Sequence, residues 1–338
     1  MPGEAKSPAS ACSCGRIDVH AHYLPEPYRR ALERAGLARL DGGMPVPPWS
    51  IASHLEMMER HRIETSILSI SSPGLQFLDS GASQLARECN EAGAELVRAH
   101  PGRFGLFATL PLPNVAAALV EIDYAFDHLG VDGIVLETNF KGSYLGDPLF
   151  TPVFDALEER KAVIFIHPTS PECLAQVGMG LPGPVIEFTF DTVRAVVSLL
   201  YANVLVDRPN IRVILSHGGG ALPSLASRVA RISQAPFLPQ RPAGGEAAMM
   251  AEMRRFYYDL ALSATPLNFE ALRRLTDVSH ILFGSDFPFA GPAGVDANTA
   301  AFDELMTSIS RNQRAMVERE NALSLFGRLT KEKVGSFR

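Results

Sequence analysis

Residues 162–167 read Ala162-Val163-Ile164-Phe165-Ile166-His167, five apolar residues closed by a single imidazole. A short, unbroken apolar run is the pattern of a strand buried on both faces, as in a parallel sheet. Upstream, 150–160 has helical spacing and 132–137 is a second apolar strand; downstream, 189–207 is helical and 211–217 is another strand, again ending on a histidine. Extending the reading outward gives eight strands, at 16–20, 65–71, 104–110, 132–137, 162–167, 211–217, 256–261 and 280–285. Helical stretches lie between them, including 82–100, 115–128 and 267–275. Such alternation predicts an α/β fold with a parallel sheet, and eight units predict closure into a (β/α)8 TIM barrel rather than a doubly wound sheet.

The 338 residues suit one catalytic barrel domain over 16–338, preceded by a disordered tail at 1–15. Loop insertions are expected near 24–50, which holds five prolines, and near 168–184 and 234–245, both rich in Gly and Pro or small residues. Closing helices are expected at 299–309 and 314–326. Hydrophobic residues make up 46% and charged residues 20%, enough apolar surface for a large core. The net charge is −6 with basic residues scattered along the chain, which argues against a nucleic-acid partner and means that an anionic substrate needs a local cation or arginines. No apolar run is long enough to span a membrane, and the tail lacks the apolar stretch of a signal peptide. Cys12, Cys14, Cys89 and Cys173 are irregularly spaced, as reduced thiols of a cytoplasmic protein would be.

The chemistry lies in Asp18-Val19-His20-Ala21-His22, where strand alternation lets Asp18, His20 and His22 share a face. Three further apolar strands end in polar residues: His167, His217 and, after Ile281-Leu282-Phe283-Gly284-Ser285, Asp286. In a closed barrel the C-terminal strand ends meet at one mouth, where barrel enzymes keep catalysis. Three imidazoles and a carboxylate, His20, His22, His167 and Asp286, make a donor set for one divalent metal ion, Zn or Mn, with Fe²⁺ also compatible. His217 is then a general acid or base, or else a fourth imidazole ligand. Asp18 either orients a ligand histidine or is itself a ligand.

His54, His61, His100, His128 and His280 end no strand and read as structural. The glycines of His217-Gly218-Gly219-Gly220 permit a tight turn beside a ligand, and no Lys-Ser/Thr follows to make a phosphate loop. Arg228 and Arg231, three apart on the next helix, are candidates to pair with a substrate carboxylate. Trp49, Phe188, Phe190, Phe287 and Phe289 are candidates for apolar walls around a substrate.

Taken in order, Ile17-Asp18-Val19-His20-Ala21-His22, Phe165-Ile166-His167-Pro168, Ser216-His217-Gly218-Gly219-Gly220-Ala221-Leu222-Pro223 and Gly284-Ser285-Asp286-Phe287-Pro288-Phe289 resemble the decarboxylase branch of the amidohydrolase superfamily, typified by aminocarboxymuconate-semialdehyde decarboxylase. Phe190-Asp191-Thr192-Val193-Arg194-Ala195 is similar to the same branch. The resemblance implies His20, His22, His167 and Asp286 as metal ligands, His217 as the catalytic histidine, and a homodimer that decarboxylates a conjugated or aromatic acid without oxidation; the proton for the carboxyl-bearing carbon is expected from Asp286 or through His217 and water. Overall length and Pro184-Val185-Ile186-Glu187-Phe188 are most similar to 6-methylsalicylate decarboxylases, which implies release of 3-methylphenol and CO₂. Binuclear hydrolases of the superfamily often end strand four in a carboxylated lysine; Glu137-Thr138-Asn139 stands there in this chain, which favours one metal. Two alternatives remain at this stage: a metal-dependent hydrolase of a lactone, ester or amide with His217 as base, and a barrel that binds without turnover.

Overall fold

The computed structural model describes residues 15–78, 80–238 and 241–329. Eight parallel strands pair in chain order: β1 Arg16–His22, β2 Ile63–Ser69, β3 Phe104–Ala108, β4 Gly133–Glu137, β5 Val163–His167, β6 Arg212–Leu215, β7 Tyr257–Asp259 and β8 Ile281–Leu282. The register from Ile134↔Ile164 to Glu137↔His167 sets the ends of β4 and β5 side by side. The chain after β8 returns to β1, where Val19 N–H donates to Phe283 O at 3.0 Å and His22 N–H to Phe287 O at 2.7 Å. Those bonds close the cylinder, so all eight strand ends share one rim.

Inside the cylinder Ile17, Val19, Phe107, Phe165, Ile214 and Leu282 form one apolar cluster with Phe326 and Leu329, which reach in from the C-terminal segment. Phe107 and Phe165 stack with ring centroids 5.4 Å apart. Removing a buried phenylalanine of this kind costs roughly 3–5 kcal/mol. The filled interior leaves chemistry only to the mouth.

β1 does not follow simple alternation. Asp18 pairs with Ser66 and Ala21 with Leu68, three steps on one strand against two on the other, which is a bulge of one extra residue. The bulge lets Val19 join the interior cluster while His20, its neighbour, also approaches Phe165 with centroids 4.9 Å apart. Asp18 therefore does not share the face of the two histidines.

Several boundaries move for local reasons. The helix expected over 189–207 runs Glu187–Tyr201, ending where Asn203 takes a positive φ of 56°. The first closing helix spans Gly291–Leu305, with Pro292 in its first turn where a missing N–H costs nothing. The second is broken into Arg311–Ala315, a π-turn at Met316–Glu320 and Asn321–Leu325. Within 24–50 lies the helix Glu26–Arg34, and the rest is irregular but for a 3-10 turn at Asp41–Gly43. Segment 168–184 holds one short helix, Leu174–Val177. The expected tail at 1–15 lies outside the described residues except for Gly15, as do residues 239–240 of the 234–245 excursion. No helix among the described residues is long and apolar enough to cross a membrane.

Candidate metal centre and active-site cavity

β1, β5 and the turn after β8 deliver His20, His22, His167 and Asp286 to one point, with one ligand atom of each within 4.8 Å of every other and all four buried. His20 Nε2 and His22 Nε2 lie 3.1 Å apart, and 3.4 and 3.3 Å from Asp286 Oδ1. The opposite ring nitrogens are held by the protein: His20 Nδ1 donates to Asp259 Oδ2 at 2.9 Å, and His22 Nδ1 lies 2.9 Å from Ser69 Oγ. Such outer partners fix the ring planes and leave the inner nitrogens free to coordinate.

Electrostatics favour a cation here. Burial, reinforced by the neighbouring charge of His22 and His20, pushes His167 well below the ordinary imidazole range, and burial lowers His22. Burial also works against charge on His20, but the carboxylates of Asp259 and Asp286 outweigh it and raise the ring to about 10. Burial likewise opposes charge on Asp286, whose hydrogen bonds from His20 and His22 prevail and hold it well below the usual carboxylate range. His167 Nδ1 and Glu137 Oε2, 3.8 Å apart, are both buried without a hydrogen-bond partner. Lone pairs crowded together in the dry, with two carboxylates against them, fit a divalent ion.

His217 stands beside this cluster, its ring centroid 4.8 Å from that of His20. Nδ1 donates to Ala261 O at 3.0 Å, so the ring turns its other nitrogen away from the backbone. Asp259 braces it too, since Oδ1 accepts the His217 N–H at 3.1 Å and the Ala261 N–H at 2.9 Å. His217 and Asp286 both have positive φ, 52° and 58°, a conformation that costs a non-glycine residue about 1 kcal/mol or more and persists where the surroundings over-determine it.

The cavity outside the cluster encloses about 280 Å³, just below the usual ligand-pocket range of roughly 300–1,000 Å³ and suited to a single-ring acid. His167, His217 and Asp286 form its polar floor; Leu40, Met44, Phe188, Leu262 and Phe289 supply apolar walls. A larger groove of about 880 Å³ between Glu26–Arg34 and Ala82–Ala99 is open, lined by Arg30, Glu33, Gln84 and Glu88, and touches none of these buried groups.

The other candidates divide. Phe188 and Phe289 line the cavity, with Phe289 edge-on to His22 at 5.3 Å. Phe190, two residues from Phe188, is turned about 200° around the helix and is 43% exposed. Arg228 and Arg231 are exposed and outside the cavity lining, which contains no Arg or Lys among the described residues. The expectation that arginines meet the substrate carboxylate is therefore corrected: that helix turns its apolar face inward and both guanidiniums to solvent. Trp49 packs on Tyr23 and donates from Nε1 to His54 Nδ1 at 3.1 Å, and Phe287 packs against His54 in the core. Asp18 accepts from His20 N, Ser285 N and Ser285 Oγ, a tie between β1 and the turn after β8 rather than a ligand; burial raises it to about 7.

Sequence reading missed Asp259 and Asp41. Asp259 ends the apolar seventh strand, the same signal that singled out His167. Asp41 sits in the proline-rich loop, where no periodicity marks it.

A closed eight-stranded barrel that gathers three imidazoles and a carboxylate at its C-terminal rim defines the protein as a (β/α)8 barrel with a candidate metal centre. The chain belongs to the amidohydrolase family, whose model matches residues 17–328. It is 38% identical to the 6-methylsalicylic acid decarboxylase acuB of Aspergillus aculeatus, over 93% of this chain and 96% of that one. It is 37% identical to the 6-methylsalicylic acid decarboxylase of Penicillium expansum, over 93% and 97%. Its fold matches that of a dihydroxybenzoic acid decarboxylase from Polaromonas with bound manganese and 2-nitroresorcinol, with a TM-score of 0.78, 23% identity and coverage of 93% and 97%.

Proposed function

We propose that the protein is a metal-dependent carboxy-lyase that removes CO₂ without oxidation from an aromatic hydroxy acid of the 6-methylsalicylate type, giving 3-methylphenol. One observation carries the reading: His20, His22, His167 and Asp286 converge at one point, and His167, Asp286 and His217 face a cavity sized for one ring. The names of the relatives from Aspergillus and Penicillium support the substrate class.

A divalent ion, which His20, His22, His167 and Asp286 would hold, would supply Lewis acidity that favours the ionised form of the substrate's phenol oxygen. Leu40, Met44, Phe188, Leu262 and Phe289 hold the ring and keep water from the reacting carbon. Asp286, or His217 through a water, delivers a proton to the carboxyl-bearing carbon, both side chains lying on the cavity floor. A C–H bond forms there, the C–C bond to the carboxylate breaks, its electron pair restores the aromatic ring, and CO₂ leaves. Asp259 keeps His20 and His217 in place throughout.

The ion is manganese or zinc; the Polaromonas structure gives manganese a precedent on this fold. The enzyme acts as a homodimer in the cytoplasm, a reading supported by exposed apolar side chains such as Met179, Val185 and Leu267 and by the free thiols of Cys89 and Cys173. The test is to incubate metal-loaded protein with 6-methylsalicylate in D₂O. The expected products are CO₂ and 3-methylphenol deuterated at the carbon that bore the carboxylate. Turnover of esters or lactones with no CO₂ from any hydroxybenzoate would sink the assignment.

A further inference from the structure

Besides Asp286, one other acidic residue among the described residues lines the cavity, Asp41, contributed by the loop between β1 and the helix Ile51–Arg60. Four donors fix its carboxylate. Gly42 N–H reaches Oδ1 at 2.8 Å, while Oδ2 accepts from Ser72 Oγ at 2.7 Å, Thr169 Oγ1 at 2.7 Å and Ser170 N–H at 2.5 Å. Ser72 lies just beyond β2, and Thr169 and Ser170 just beyond β5, so the loop is pinned across two strand ends next to the metal cluster. Every partner is uncharged. No Arg or Lys among the described residues lines the cavity, so beyond the imidazoles and the metal that His20, His22, His167 and Asp286 would hold, no cation faces this charge.

A substrate with one carboxylate can place it on the metal and leave an uncharged ring edge toward the rest of the cavity. A second carboxylate on the ring has no cation to meet and must share a partly dry enclosure with Asp41. Like charges a few ångströms apart in a protein environment cost enough to alter binding by about tenfold or more. We propose that Asp41 sets the charge specificity of the site, admitting aromatic monoacids and rejecting ring dicarboxylates. The proposal rests on the decarboxylase reading for its substrate class. It also gives the hydroxyls of Ser72 and Thr169 a part, which is to hold the charge in place without neutralising it.

The experiment compares salicylate with 2-hydroxybenzene-1,3-dicarboxylate on the manganese-loaded protein, by calorimetric Kd and by kcat/KM for CO₂ release. The native chain should favour the monoacid, and Asp41→Asn should narrow the preference by about tenfold or more. Asp41→Ser makes the same comparison if asparagine disturbs the loop. Ser72→Ala removes one hydrogen bond but keeps the charge, so it should raise KM for the monoacid and leave the preference in place. An unchanged preference in both Asp41 variants overturns the proposal, as does a Ser72→Ala variant that narrows it equally. Should neither acid, nor 6-methylsalicylate run beside them, lose CO₂, the decarboxylase reading falls, and the ratio of Kd values still decides the role of Asp41.

Discussion

His20 Nδ1 and Asp259 Oδ2 lie 2.9 Å apart with both side chains fully buried, and the other oxygen of the same carboxylate accepts the backbone N–H of His217. One residue at the end of β7 thus orients a candidate metal ligand and the candidate acid-base histidine. Asp259→Asn keeps the shape but brings an amide where His20 needs a charged acceptor. Metal affinity should fall about 10- to 100-fold, measured by equilibrium dialysis, and kcat should fall with it. Unchanged metal affinity would mean that His20 needs no such brace.

His167→Ala should abolish both metal retention and decarboxylation while the far-ultraviolet circular dichroism stays native. The imidazole sits at the very end of β5, so its loss leaves the sheet pairing intact. A variant that binds one equivalent of metal and turns over normally would remove His167 from the centre.

His217→Asn should behave differently, because its ring is anchored to Ala261 O rather than to the other three histidines. Metal content is expected to stay at the native level while kcat drops by about 10²- to 10⁴-fold, the usual contribution of a positioned acid or base. Atomic absorption on the same sample used for kinetics separates this from ligand loss; a parallel fall in metal content would make His217 a fourth ligand.

The barrel and the cluster were legible because both depend on pattern. Apolar runs closed by His or Asp mark strand ends, and closure brings every such end to one rim, which is how His20, His167 and Asp286 meet. What stayed hidden depends on local geometry that a pattern does not carry. The bulge in β1 turns Asp18 away from its expected face. The spacing of Arg228 and Arg231 says that they share a helix face, not that the face is wet. Asp259 escaped because its strand was read as running on to 261, which buried the terminal carboxylate in mid-strand. Asp41 acquires its place only when barrel closure brings the segments beyond β2 and β5, which have two strands between them in the sheet, within reach of one loop.

Acid stability should report on His54. Burial lowers its ring to about 3 from an ordinary 6.5, and its Nε2 has no partner. A neutral folded histidine means that the unfolded chain takes up the proton first on acidification. Stability should therefore decline as pH drops below about 6.5 and level off near 3. His54→Phe fits among Phe104 and Phe287 and removes that titration. Its melting temperature should fall less steeply than the native one between pH 6.5 and 4, in metal-free samples of both. Parallel curves would show that His54 contributes nothing to the slope.

The turn after β6 sets His217, Gly218, Gly219 and Gly220 in succession at positive φ, 52°, 65°, 74° and 59°, and only the first carries a side chain. A Cβ on Gly218 would sit 2.3 Å from Asn268 Nδ2 and 3.1 Å from Ser263 Oγ, at a backbone angle unfavourable to alanine. Gly218→Ala must then push Asn268 out, breaking its 3.2 Å bond to Ser263 O, or pull the turn back and carry His217 with it. The conformational penalty alone is about 1–2 kcal/mol, readable as a lower urea midpoint. Because the displaced neighbour is His217, kcat should fall by more than the loss of folded protein explains, with metal content unchanged. Full specific activity in the folded fraction would show that the chemistry does not need His217 held in this conformation.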